Sequence, residues 1–453
     1  MTTRVLVPSG VLGLGFDADA LQAGVLAKPD IIAIDGGSTD SGPFYLGTSS
    51  SKYSRAACKS EWKMLLQARE QLNVPLVITS CGTCGSDDMV DWMLDITREI
   101  AAELKSGLKV ATLYSEQQSD FVKERLLQGR VTPLEPVIGI DDAALDSMSH
   151  IVALAGAEQI NAALETGADV VLAGRATDTA GIAAMPLSRG EHDGASWHAA
   201  KIAECGALCS TNPTSGVIGI DVDHESFSVW PLASGAQCTP HSVSAHMLYE
   251  NADPLTLYEP GGALQVADSV YEPIDPVKVR VTGSRWEGSD VYTVKLEGAR
   301  AVGYQSTLMA ILRDTRYVRN ADAWVARLNG FLADEISRRM QLVNEDYDVE
   351  FRLIGVDATL GELETKKSLP AEIGVLVLVT AATEECADEI AKLINPFLLH
   401  YPLTDNEELP TFAFPYSPAQ TNRGPMFEFC LNHVMELDDP MQAFRLEVHQ
   451  LTA

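Results

Sequence analysis

Ile31-Ile-Ala-Ile34 runs directly into Asp35-Gly-Gly-Ser-Thr-Asp-Ser-Gly-Pro-Phe-Tyr-Leu-Gly47. An unbroken apolar run closed by glycine reads as a strand buried on both faces, the pattern of a parallel sheet. Four glycines and one proline in the thirteen residues that follow are poor material for regular structure, so the strand is expected to open into a loop. In open α/β sheets ligands bind at the carboxyl ends of the strands, where this loop lies. Asp35 and Asp40 bracket Ser38 and Thr39, and Gly36 and Gly37 let a ligand approach backbone closely. The same glycines also suit tight turns.

Working outward, the arrangement repeats. Arg4–Val7, Val74–Thr79, Lys109–Tyr114, Ile151–Ala155 and Asp169–Ala173 read as strands. Helical segments near residues 18–26, 56–72, 89–104, 117–127, 160–166 and 197–209 alternate with them. Strand after strand ends in small and polar residues: Ser80, Gly82 and Thr83, then Ser115-Glu116, then Gly174, Arg175, Thr177 and Asp178. Carboxylates and hydroxyls delivered to one edge are the chemistry of a catalytic rim. Asp35, Asp40 and Asp178 are candidate bases, and His241, which opens a helix after Pro240, or Glu116 would complete proton transfer. Arg175, with Arg55 and Lys59 four apart on one helical face, would hold an anionic substrate.

The expected fold class is α/β, a doubly wound and mostly parallel sheet followed by a smaller α+β domain of ferredoxin-like outline. The expected division is an α/β ligand-binding domain over residues 1–215, a Gly/Pro-rich connector over 216–276 and an α+β domain over 277–453 with an aromatic, proline-rich tail. In that last part Val277–Val281, Val291–Leu296, Asp348–Ile354 and Ile373–Val379 read as strands, and Ala321–Leu342 and Glu384–Ile394 as helices. The final strand-like run is expected to close against one of the sheets.

Sixty-three acidic against 33 basic residues give a net charge of -30, which disfavours nucleic acid and anionic membranes as partners. No apolar run approaches the ~18 residues of a membrane helix, and the expected location is cytoplasmic. Glycine spacing after the first strand does not match GxGxxG, so neither NAD nor a flavin is expected. Paired carboxylates would suit a divalent cation such as Mg²⁺. Cys81 and Cys84 form a CxxC whose role stays open between loop packing, a redox pair and a metal site.

Five separated stretches share a further likeness: Asp35 to Pro43, Pro240-His-Ser-Val-Ser-Ala-His-Met-Leu-Tyr-Glu-Asn-Ala-Asp-Pro254, Tyr292-Thr-Val-Lys-Leu-Glu-Gly298, Phe414-Pro-Tyr-Ser-Pro418 and Arg423-Gly-Pro425. Together they resemble the acyclic terpene utilisation (AtuA) family across nearly the whole chain. The resemblance implies a bacterial cytoplasmic protein of carbon-source catabolism, linked to breakdown of branched terpenoid acids as CoA thioesters, and it assigns no residue a role. Two readings follow. The first is an enzyme of hydratase, lyase or isomerase type acting on a branched or unsaturated carboxylic acid or its CoA thioester, as a homo-oligomer. The second is a non-catalytic, small accessory subunit that binds an acyl-CoA or a partner enzyme.

Overall fold

The computed structural model describes residues 2–366 and 368–452. The chain divides into two compact units, Met1–Arg300 with Phe429–Ala453, and Ala301–Glu428. The first unit is built on a ten-stranded mixed sheet. At its centre lie β1 (Thr3–Val7), β2 (Ile31–Asp35), β3 (Leu76–Thr79), the Val170–Ala173 strand and β4 (Leu108–Tyr114), in that order and all parallel. Their residues are buried on both faces, which is why they read as continuous apolar runs.

Alternate strand residues feed two separate cores. Leu6, Ile32, Ile34, Leu76 and Ile78 pack on the helices Ala18–Leu26, Arg55–Leu72 and Asp87–Leu104. Val5, Val7, Ala33, Val77 and Leu113 pack on Ala157–Glu165, Ala180–Ser188 and Asp193–Ala203. The two-sided cover follows from the strand order. From β1 to β4 the chain advances in one direction; it then steps back to place Val170–Ala173 between β3 and β4. With right-handed crossovers, reversing direction moves the connecting helices to the opposite face. The loops leaving β3 and Val170–Ala173 meet at the carboxyl edge, where Ser80 N donates to Gly174 O and Cys81 N to Ala173 O, and the open cleft lies beside the loops that leave β1 and β2.

Antiparallel strands extend this frame on both sides. Residues 216–276, expected as a connector, carry Ile218–Val222, which pairs with β1, then Ser226–Pro231, and Val270–Pro273 at the sheet edge. Within the same stretch Thr256–Glu259 pairs with Gly262–Gln265 through a Pro260-Gly261 turn, Gly261 having the positive φ of +82° that this position requires. At the other edge Arg445–Leu451 pairs along β4, while the expected closing run, Phe427–His433, lies in the strand Gln420–Leu437, which pairs with Val131–Pro133.

The second unit is an α+β assembly. Tyr347–Ile354 and Ile373–Ala381 pair antiparallel, and the later part of Tyr292–Leu312 pairs with the latter. Burial alternates along Ile373–Ala381, and the buried side packs on Trp324, Leu328 and Leu332 of helix Ala321–Met340 and on Ile390 and Ile394 of helix Glu384–His400. Among the described residues no helix is long and apolar enough to cross a membrane.

Candidate functional site

Arg175 follows the end of the Val170–Ala173 strand and is almost wholly buried where the loops meet. Its backbone is held first. Arg175 N donates to Gly85 O at 2.9 Å and to Ser115 Oγ at 2.6 Å. A Cβ on Gly85 would lie 2.2 Å from Arg175 N, and one on Gly36 would lie 2.5 Å from Ser80 O. These glycines are needed because three loops touch backbone to backbone; a ligand is not what claims their empty side.

Every N–H of the guanidinium has a partner inside the chain. Nε donates to Glu297 Oε2 at 3.0 Å; one terminal nitrogen reaches Ser80 Oγ, the Ala176 carbonyl and, at 3.4 Å, Asp178; the other reaches Thr39 Oγ1 and Glu297 Oε1. Arg175 is thus a clamp that ties the loops after β2, β3 and Val170–Ala173 to the Tyr292–Leu312 strand. Burial would push the Glu297 carboxyl up, but Arg175 and Lys295 hold it down at about 2.

Asp35 and Asp178 stand beside the clamp and behave in the opposite way. Asp35 is buried at the end of β2, accepting from Gly36 N at 2.8 Å and Thr79 Oγ1 at 3.0 Å. Burial and the nearby Asp178 push its carboxyl well above the usual range, against the pull of Arg175. Burial also raises Asp178, opposed by Arg175 and reinforced by Asp40. Two carboxylates that repel each other in a poorly solvated place cannot both ionise cheaply, so the charge on one favours the protonated form of the other. Asp35, Asp40 and Asp178 line a cleft of about 750 Å³, with Ser38, Glu204, Cys205 and Tyr249 also on its walls.

A smaller polar recess shares Ser38, Asp40, Asp178 and Glu204 with that cleft and adds Thr177, Glu259 and Lys295. Leu154, Thr177, Tyr258, Glu259 and Lys295 in turn border a third space of about 710 Å³, lined by Leu134, Pro260, Ala263 and Val434. A polar centre therefore adjoins an apolar chamber. Glu259 stands at the junction, at the end of its short strand and only 8% exposed. Thr179 donates to its Oε1, while Oε2 is buried without a partner. Burial lifts this carboxyl to about 7, with Thr177 and Thr179 pulling it partly back.

The remaining expected residues are distributed as follows. Ser38 caps a short turn by accepting from Asp40 N, and Thr39 donates to Glu297 at 2.9 Å. Gly37 lines the cleft; Gly82 packs on Met89, and Thr83 accepts from Lys52 N. Gly174 abuts Ser115. Glu116 lies apart, in a separate small cleft with Tyr114 and Arg445, and accepts from His150 at 2.6 Å. His241 is exposed on the first turn of helix Pro240–His246. Arg55 and Lys59 do share a helix face, but they spend their charge on Glu99 and Glu103 of the next helix at 2.7–2.8 Å, outside the cleft. Cys81 and Cys84 are buried thiols, both raised by burial, which fits loop packing.

Glu259, Glu204, Lys201 and Glu297 carry no local motif that names them as site residues. Glu297 lies within Lys295-Leu-Glu-Gly298, which the likeness above already marked, whereas Glu259 had only its Pro-Gly turn as a signal. Asp35, Asp40 and Asp178 do not gather into a three-ligand metal group; among the described residues that geometry belongs to Glu204, Cys205 and His246.

The pattern of the acyclic terpene utilisation family protein AtuA matches residues 48–407. Neither the curated proteins nor the solved structures contain a match.

Proposed function

The chain belongs to the acyclic terpene utilisation family, and from that premise we propose that it is a catabolic enzyme acting on a branched or unsaturated carboxylic acid or its CoA thioester. The reaction is of hydratase, lyase or isomerase type, moving a proton together with water in a hydration, the eliminated group in a lyase reaction, or the double bond in an isomerisation. One observation carries the reading: Glu259, raised to about 7, has a free buried oxygen where the acidic centre meets the apolar chamber. A carboxyl poised near neutral pH can both donate and accept, the property required of a general acid–base.

A hydrocarbon tail would fill the chamber, whose size falls within the range of small-molecule sites. Its double bond, or the carbon to be deprotonated, would then stand at Glu259. Asp35 and Asp178 would exchange the second proton from the cleft side, and Arg175 would position them without touching substrate. Hydration of an alkene conjugated to a carbonyl needs one group to deprotonate water and another to protonate the adjacent carbon, which two carboxyls can supply. Lys295, half open to solvent, is the cation best placed for the substrate's anionic end.

We read the second unit as ferredoxin-like, on its strand–helix–strand–strand–helix–strand order. We read the protein as cytoplasmic and homo-oligomeric, with a small anionic substrate. The test presents the purified protein with branched enoic acids and their CoA thioesters and follows water addition or double-bond migration by mass spectrometry. Asp35→Asn and Glu259→Gln are each expected to lose roughly 10²–10⁴-fold in kcat while remaining folded. Binding of a thioester with no turnover in any pairing would return the protein to the accessory-subunit reading.

A further inference from the structure

We propose that Glu204, Cys205 and His246 form a metal site for a borderline divalent ion such as Zn²⁺, with its remaining position open to the cleft. A carboxylate oxygen of Glu204, Cys205 Sγ and a ring nitrogen of His246 all lie within 4.8 Å of one another, the span of three ligands around one ion. The residues come from two elements: Glu204 and Cys205 directly follow helix Asp193–Ala203, and His246 ends helix Pro240–His246. Two helix ends therefore converge on one point.

A second observation points to a ligand there. His246 is only 5% exposed, yet its Nε2 has no hydrogen-bond partner. An unpaired buried nitrogen is costly, and a metal is one of the few partners that satisfies a neutral imidazole. The ring is fixed by Tyr249, stacked on it at 5.5 Å with the planes 16° apart. The carboxylate is fixed as well, because Lys201 takes Glu204 Oε1 and leaves the other oxygen for an ion. Outer groups that orient ligands in this way are the usual companions of a metal site.

Ligand chemistry selects the ion. A thiolate and an imidazole beside one carboxylate suit Zn²⁺ and its neighbours, and a hard ion such as Mg²⁺ prefers oxygen alone. Glu204 and Cys205 both line the 750 Å³ cleft, whereas a structural zinc site is closed by a fourth protein ligand. This inference stands whatever reaction the cleft performs.

The experiment uses the full chain, stripped with a chelator, then titrated with Zn²⁺ against a coloured chelator and, separately, with Co²⁺ followed by absorption. The expected result is one tight Zn²⁺ per chain and a Co²⁺ spectrum showing four-coordinate visible bands with a thiolate charge-transfer band in the near ultraviolet. C205S should abolish the charge-transfer band and weaken Zn²⁺ by at least about tenfold, and H246Q should weaken it similarly. C386S, in the other unit, should keep the band. A wild-type Co²⁺ spectrum without a thiolate band, a band that survives C205S, or no stoichiometric Zn²⁺ would overturn the site. Because the wild-type spectrum alone can do so, the test does not depend on the variants folding.

Discussion

Replacing Glu259 by Gln should make the first unit more stable at alkaline pH, by an amount that the burial of this carboxyl sets. Its ordinary value is 4.5, and burial raises it to about 7 in the fold. Between those two values the native state holds a proton that the unfolded chain has released. Stability therefore falls as pH rises through that window: the contribution is fully present below about 4.5 and lost above about 7. The difference of about 2.5 units corresponds to roughly 3 kcal/mol at 1.36 kcal/mol per unit. Gln has no proton to lose, so the variant escapes the cost. Asp35, Asp178 and Glu204 are raised too and act with the same sign, so the wild-type curve alone does not isolate Glu259. The variant-minus-wild-type difference does, together with the part of the Glu204 elevation that Glu259 itself causes. The assay is denaturant unfolding of both proteins at about pH 4.5 and about pH 8, followed by tryptophan fluorescence. Trp62, Trp92, Trp197, Trp230 and Trp286 lie in the first unit and only Trp324 in the second, so the signal reports mainly the first. The expected difference is near zero at the acid end and roughly 3 kcal/mol in favour of Gln at the alkaline end. A difference that stays constant with pH would refute the raised carboxyl, and with it the observation on which the functional reading rests.

The other expectations concern the clamp and the residues that lie away from it. Arg175→Ala leaves the Glu297 carboxylate buried without its main partner, and breaking a buried pair from one side costs about 3–5 kcal/mol, so a large drop in thermal midpoint should accompany any loss of activity. Arg175→Ala combined with Glu297→Gln should recover part of that loss; a double variant no more stable than the single would show that the charge left behind was not the cause. Arg55→Ala and Lys59→Ala remove solvent-screened pairs with Glu99 and should leave both the thermal midpoint and turnover nearly unchanged. A loss of substrate affinity in either would place a second anion site on that helix face. His241→Ala should leave the kcat pH profile as it was, since the residue is exposed and outside the cleft lining; a displaced limb would restore it as a proton carrier.

What could be read from the chain follows from how each feature is encoded. Strands buried on both faces must be continuously apolar, so Ile31–Ile34 and Asp169–Ala173 declared themselves, and with them the loops that carry Asp35, Arg175 and Asp178. The spacing of Arg55 and Lys59 placed them correctly on one face, but spacing does not name a partner. In a chain with 63 acidic residues the nearest exposed partner is an acid, here on the following helix. Arg175 was visible as a charge at a strand end, whereas its saturation depends on Thr39 and Glu297, which lie 136 and 122 residues away. Glu259 was the hardest case. Tyr258-Glu-Pro-Gly-Gly262 marks a hairpin turn, and turns usually lie in solvent. What makes Glu259 chemical is that the turn is folded inward against Thr179. That burial arises only when residues eighty positions apart meet, and no local pattern records it. The clamp and the acid thus divide along one line. Residues at strand ends were found because the sheet places them, and residues made reactive by burial were missed because the whole unit must fold before their environment exists.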